Sequence, residues 1–165
     1  MTYSKIHHAI KHRVTSNNNF TTPPNLAISL IAKVNLVPGD TVLDPALGEG
    51  SFYNNFSAFV EKDYCDMLIG DDFLEYSNQV DWIITNPPYS DLDAWVIKST
   101  EVCRKGFAYL LGLINLTPRR IEIANCSGFG LTSLHLCKVF HFFGISAFVI
   151  FEKSKPNVVS YDRIV

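Results

Sequence analysis

Asn86-Pro87-Pro88-Tyr89 directly follows Trp82-Ile83-Ile84-Thr85, an apolar run with one threonine at its end. Neither proline has an N–H to give to a strand ladder, so a strand must stop there. What remains is an amide side chain, two stiffened peptide units and an aromatic ring. That set suits one chemical problem. An exocyclic amine on an aromatic ring, such as that of adenine, is a poor nucleophile because its lone pair is delocalised. Two acceptors that bind its two N–H protons draw the nitrogen toward tetrahedral geometry and localise the pair. The Asn86 side-chain carbonyl and the Pro87 backbone carbonyl are such acceptors. Pro87 and Pro88 hold them in place beforehand, and Tyr89 offers a flat face for stacking. A base must leave its helix to reach a pocket of this kind. No strong general base is required, because the alkylated amine is a cation and sheds its proton readily. His135 and His141, both in predicted strands, read as structural.

A second cluster, Asp44-Pro45-Ala46-Leu47-Gly48-Glu49-Gly50, lies where a first strand should give way to a first helix. Glycines at such a turn let the backbone approach a ligand closely. The spacing is D-P-x-x-G-x-G. It is neither the dinucleotide G-x-G-x-x-G nor a Walker loop, since no G-K-[ST] comes after it. Asp44 at the strand end would set a carboxylate beside a loop of free N–H groups. That is a cradle for a ligand carrying both ammonium and carboxylate groups.

The elements that must position these clusters are set by the pattern. Thr21-Thr22-Pro23-Pro24 is a helix start, and Leu26, Ile28, Leu30, Ile31 and Val34 recur at helical spacing behind it. Pro38-Gly39-Asp40 is a turn, and Thr41-Val42-Leu43 a short buried strand. A helix is expected from near Ser51, turning Phe52 and Phe56 inward. Residues 64–68 are expected as a short strand, 70–73 as a loop and 80–84 as a strand. Ser90-Asp91-Leu92-Asp93 reads as a capping box with Ser90 at the N-cap. The helix behind it carries Leu92, Trp95, Val96, Thr100 and Val102 and is expected to stop at Lys105-Gly106. Residues 107–114 suit a strand buried on both faces. A short helix over 118–126 and two strands, 131–143 and 146–151, with a hairpin at Gly144, complete the chain. Strands alternate with helices and then finish as a pair. The expected class is α/β, with a mostly parallel sheet and an antiparallel edge strand.

Composition limits the alternatives. The chain has 165 residues, 47% hydrophobic and 18% charged, the balance of one globular domain. Its net charge is −2, so any nucleic-acid contact must come from a local patch rather than from the whole surface. Lys5 to Arg13, a basic stretch, is the candidate for that patch. Cys65, Cys103, Cys126 and Cys137 form no C-x-x-C pair, and no metal site is expected. No signal peptide or membrane-length apolar run is present, which places the expectation in a reducing cytoplasmic compartment, away from any membrane.

Taken together, these segments resemble the S-adenosylmethionine-dependent N6-adenine DNA methyltransferases. T-T-P-P-N-L (21–26) resembles the N-terminal cofactor segment, D-P-A-L-G-E-G-S-F-Y (44–53) the methionine-binding loop and N-P-P-Y the catalytic motif, in the order of one permutation class. The resemblance spans residues 20–152 and implies a Rossmann-like class I methyltransferase core. On that basis residues 1–165 are a single catalytic domain with a 1–20 arm and no target-recognition domain. It implies that Thr22 and Pro23 border the methionine carboxylate, and that Asp44, Pro45, Gly48 and Gly50 hold the methionine part. Asp66 meets the ribose hydroxyls, with Glu61 and Asp63 as alternatives. Asp72 meets the cofactor adenine with the Phe73 backbone beside it, and Asn86, Pro87, Pro88 and Tyr89 bind and activate the target amine. The implied cofactor is S-adenosyl-L-methionine and the implied partner is DNA. RNA-base or glutamine-amide methylation and a non-catalytic subunit of the same fold are the alternatives. The family's strand–helix–strand unit between the glycine loop and the catalytic strand is compressed here. With no recognition domain, a homodimer or a separate specificity partner is the expected source of sequence reading.

Overall fold

The computed structural model describes residues 21–139 and 144–162. The basic stretch 5–13, the 1–20 arm and His141 lie outside them. Three helices and six strands are described: α1 (Pro24–Ile31), β1 (Thr41–Asp44), β2 (Glu61–Tyr64), β3 (Val80–Thr85), α2 (Leu92–Val102), β4 (Cys103–Gly112), α3 (Pro118–Cys126), β5 (Phe129–Cys137) and β6 (Ser146–Lys153). They form one sheet in the order β2-β1-β3-β4-β6-β5. β2, β1, β3 and β4 run parallel to their neighbours, whereas β6 runs against both β4 and β5 and lies between them.

Alternation along the strands explains the three layers. Val42, Trp82, Ile84, Ala108, Leu110, Phe148 and Ile150 point to one face, where Ala27, Leu30 and Ile31 of α1 cover them. Leu43, Ile83, Phe107, Tyr109, Leu111, Val149 and Phe151 point to the other, against Trp95, Val96 and Val102 of α2 and Ile121 and Ala124 of α3. Both faces are dry, which is why 107–111 reads as an unbroken apolar run. Each such side chain, fully buried, contributes about 1.5–3 kcal/mol.

Several local expectations are corrected by tertiary demands. Instead of a helix from Ser51 there is a single 3-10 turn, Tyr53–Asn55, although Phe52 and Phe56 are buried as expected. The second strand is Glu61–Tyr64, each of its residues exposed, and 64–68 is not a strand. α2 ends at Val102 and β4 begins at the next residue, so Lys105-Gly106 is no helix stop. Gly106 serves the sheet instead: a Cβ there would lie 2.4 Å from the Phe151 carbonyl oxygen and 2.6 Å from the Trp82 ring. Ser90 is not the N-cap of α2. It lies in a 3-10 turn, Tyr89–Asp91, and Asp91 caps the helix without a side-chain bond. The α1 N-cap is Pro23, likewise without one.

Candidate functional site

From β1 the chain steps to β2 on one side and returns to β3 on the other. The carboxyl ends of β1 and β3 therefore flank the point where the strand order reverses, the usual place for a ligand cleft in such sheets. A cavity of about 670 Å³ opens there, bounded by the glycine loop, by Asn86 and by the segment around Asp66 and Asp72. Its ionisable lining residues are Asp44, Glu49, Asp66, Asp72 and Asp91, all acids.

Asp44, the last residue of β1, is only 1% exposed. Its Oδ1 accepts from Thr85 Oγ1 at 2.7 Å and from the Ala46 N–H at 3.4 Å, and its Oδ2 from the Tyr53 N–H at 3.3 Å. The Thr85 bond crosses from β3 to β1, tying the two strand ends together. No cation faces Asp44 among the described residues. Burial pushes its pKa up to about 6; the bonds from Thr85, Ala46 and Tyr53 oppose that shift, and the nearby Asp66 charge adds to it.

Gly48 and Gly50 hold φ of +52° and +76°, the left-handed region that favours glycine. At Gly50 a Cβ would also meet Asn54 Nδ2 at 2.6 Å. The loop's N–H groups are less free than the sequence suggests. Gly48 N–H donates to Asp66 Oδ2 at 2.8 Å, and Gly50 N–H to the Leu47 carbonyl at 2.7 Å. Those of Glu49 and Ser51 have no partner among the described residues. The other Asp66 oxygen accepts the Leu68 N–H at 2.8 Å, so this one carboxylate pins the glycine loop to the turn Met67–Ile69. Asp72 caps the turn Phe73–Glu75 through the Leu74 N–H at 2.9 Å. Phe73, 2% exposed, packs on Trp95 with ring centroids 4.7 Å apart and closes the floor.

Asn86 sits one residue beyond β3. Its Nδ2 donates to Thr22 Oγ1 at 3.4 Å. Thr22 is buried just ahead of α1, so the N-terminal segment orients the strand-end amide. Pro87 is buried behind it. Tyr89 is half-buried against the α2–α3 core, and its hydroxyl accepts the Gly112 N–H at 3.1 Å, which fixes the ring against the end of β4.

The cavity thus gathers Thr22, Asp44, Pro45, Gly48, Asp66, Asp72, Phe73, Asn86 and Pro88. Pro23, Gly50, Pro87 and Tyr89 do not line it. Of the three acids weighed for one role, only Asp66 does. Asp63 instead accepts from the Tyr76 hydroxyl at 2.8 Å, and Glu61 lies at the start of β2. The sequence reading missed Glu49 and Trp95 as wall residues. Glu49 could have been found, because it lies between the two loop glycines. Trp95 carries no such signal, since its spacing on α2 is that of any core residue.

No family model matches the sequence, and no curated protein matches it. Solved structures do. Magnesium protoporphyrin IX methyltransferase from Synechocystis, with bound S-adenosylmethionine, superimposes with a TM-score of 0.61 at 15% identity, over 79% of this chain and 77% of that one. Precorrin-6y C5,15-methyltransferase from Geobacter metallireducens gives 0.63 at 10% identity, over 84% and 93%. The M protein of the type I restriction enzyme EcoKI gives 0.59 at 12% identity, over 84% of this chain and 44% of that one. The chain has a Rossmann-like methyltransferase fold. Within this methyltransferase fold, the acid-lined cavity and Asn86 occupy neighbouring strand ends, and the β1–β2 connection is reduced to the one 3-10 turn. Among the described residues no helix is long and apolar enough to cross a membrane.

Proposed function

We propose that this chain transfers a methyl group from S-adenosyl-L-methionine to the N6 amine of adenine in DNA. The observation that carries the reading is the convergence of Asp44 and Asn86 on one cavity. An acid-lined loop and a preorganised amide, from adjacent strands, share a single wall. Structures of the same fold include one with bound S-adenosylmethionine and the M protein of a restriction enzyme, which supports the cofactor and the substrate class.

The donor set fits the cofactor. S-adenosylmethionine carries a sulfonium, an ammonium and one carboxylate, a net cation. Every ionisable group lining the cavity is an acid, and the innermost, Asp44, is buried with no cation. Asp44, Gly48 and Asp66 would hold the methionine and ribose parts, with Thr22 and the Glu49 and Ser51 N–H groups toward the carboxylate. Asp72 and the Phe73 backbone would meet the adenine. When bound, the cofactor supplies an electrophilic methyl group.

The chain's own residues do the rest. Asn86 accepts one amine N–H and the Pro87 carbonyl the other, which concentrates the nitrogen lone pair toward the methyl. Pro87 and Pro88 keep both acceptors fixed, so no reorganisation is needed at the moment of transfer. Tyr89, held by Gly112, presents its ring to the flipped base. After transfer the nitrogen gives its extra proton to water. Incubation with methyl-tritiated S-adenosylmethionine and, separately, DNA, RNA and a release factor tests the reading. Label is expected in DNA, on adenine N6. Label in RNA or in protein only, or none at all, overturns it.

A further inference from the structure

The sheet order puts three strand ends in a row: the glycine loop after β1, Asn86 after β3, and the turn Leu113–Asn115 after β4. That last turn lies on the far side of Asn86 from the cofactor cavity. Gly112 N–H, donated to the Tyr89 hydroxyl, joins it directly to the N-P-P-Y segment. The two sides differ in charge. On the cavity side all the ionisable groups are acids, which repel a polyanion. On the β4 side Arg119 and Arg120 share one carboxylate. Arg119 Nε donates to Asp93 Oδ2 at 2.6 Å and Arg120 Nε to Asp93 Oδ1 at 2.8 Å, leaving one positive charge uncompensated in the trio.

The two arginines are not equivalent. Arg120 has a side chain 20% exposed, and its Nη1 donates to the Asn115 carbonyl at 2.6 Å, so it braces the turn. The Arg119 side chain is 58% exposed, and its two terminal nitrogens have no partner among the described residues. Asp93 holds its Nε and thereby aims the rest of the guanidinium outward, in the fork geometry that suits phosphate. Ile114, in the turn that Arg120 braces, is 89% exposed, the most exposed large apolar side chain described. An exposed guanidinium on α3 and a bare apolar side chain in the turn just ahead of that helix match a nucleic-acid strand, which alternates phosphates with base faces.

We propose that Arg119 grips a backbone phosphate of the DNA strand that delivers its adenine to Asn86, while Ile114 packs on a neighbouring base. This rests on the adenine reading above and adds the path of the strand: it enters over the β4 turn, away from the acid-lined cavity. It also places a nucleic-acid patch outside the N-terminal basic stretch.

The test is fluorescence anisotropy of a fluorescein-labelled DNA duplex across a salt series, with S-adenosylhomocysteine present and the methyl-transfer assay run in parallel. Arg119→Ala should weaken binding and lower the magnitude of the slope of log affinity against log salt by about 1, the loss of one phosphate contact. Arg119→Lys should restore the slope. Ile114→Ser should weaken binding with the slope unchanged, because its contact is apolar. Affinity for S-adenosylhomocysteine, by calorimetry, should stay at the parent value in all three. A parent-like slope in Arg119→Ala overturns the phosphate contact while leaving the adenine reading intact. An RNA hairpin bound in place of DNA with the same Arg119-dependent slope overturns DNA as the partner. Failure of the parent protein both to bind and to methylate DNA overturns the adenine reading, and this inference with it.

Discussion

The two ends of the sheet treat their acids in opposite ways. At the amino end, Asp40 is 2% exposed and pairs with Lys105. Asp81 accepts from Arg104 at 3.1 Å and from the Thr41 N–H at 3.0 Å. There the Arg104 bond holds the Asp81 pKa down, to about 2. At the carboxyl end, Asp44 is as deeply buried as Asp40 but has no cation, and burial holds its pKa up at about 6. Glu49, Asp66, Asp72 and Asp91 also lack an ion pair among the described residues. The chain supplies cations to the strand-end acids at the amino end. Leaving them out at the other end costs stability and makes an acid-lined cavity suited to a cationic ligand.

The largest effect expected at the carboxyl end is catalytic. Asn86→Ala should lower single-turnover methyl transfer by on the order of 10²–10³-fold, the size of losing one preorganised group at a reacting centre. Cofactor affinity by calorimetry should hardly change. Activity retained in that variant would remove Asn86 from the chemistry. Asp44→Asn should do the reverse, weakening cofactor affinity by about 10–100-fold, the worth of a bond to a charged group. It should also change stability against pH. Folded Asp44 keeps its proton up to about pH 6, whereas the unfolded chain releases it near 3.8. The folded state therefore binds more protons in that window, and stability falls as pH rises through it, by about 3 kcal/mol in all. In Asp44→Asn that fall should be missing from the melting curves. Asp81 has the opposite sign: its stabilisation is present above pH 3.8 and is lost as pH falls toward 2. Identical pH profiles for Asp44→Asn and Asp81→Asn would erase the contrast between the two ends. Because a bound cation favours ionised Asp44, affinity for S-adenosylmethionine should rise with pH through about 6 in the parent and stay flat in Asp44→Asn.

What could be read in advance was chemistry imposed by a residue on itself. Pro87 and Pro88 lack N–H groups wherever they stand, so the strand end at Thr85 was visible from the sequence. So was the glycine turn after β1, and so was the dry run, expected over 107–114 and found over 107–111. What could not be read depends on distant partners. Gly106 looks like a helix stop until Trp82 and Phe151 are seen to leave no room for a Cβ. Residues 51–56 have the spacing of a helix, but Phe56 turns to extended backbone and only one turn forms. Asp66 was expected to face a ligand and does line the cavity, but that its two oxygens also hold Gly48 and Leu68, 18 and 2 positions away, could not be read. Arg119 is one of 14 basic residues in the sequence, and only Asp93, 26 positions earlier, sets it apart.

Smaller effects sharpen the comparison further. Lys105→Met leaves Asp40 buried beside Asp81 with one cation fewer. Removing a partner from a fully buried pair costs about 3–5 kcal/mol, and Lys105 is 44% exposed, so water screens the loss to about 1–3 kcal/mol. Chemical denaturation should show that loss, with transfer per folded molecule unchanged. A fall in the transfer rate would mean that the amino end is coupled to the site. The mildest change is Glu49→Gln. Glu49 lies in the wall but is exposed. Its charge should add to cofactor attraction only through screened Coulomb energy, so affinity should drop by about twofold at low salt and converge on the parent value near 1 M, where the Debye length is about 3 Å. If Glu49→Gln instead weakens binding as much as Asp44→Asn at every salt concentration, the attraction comes from the loop as a whole rather than from the one buried acid without a cation.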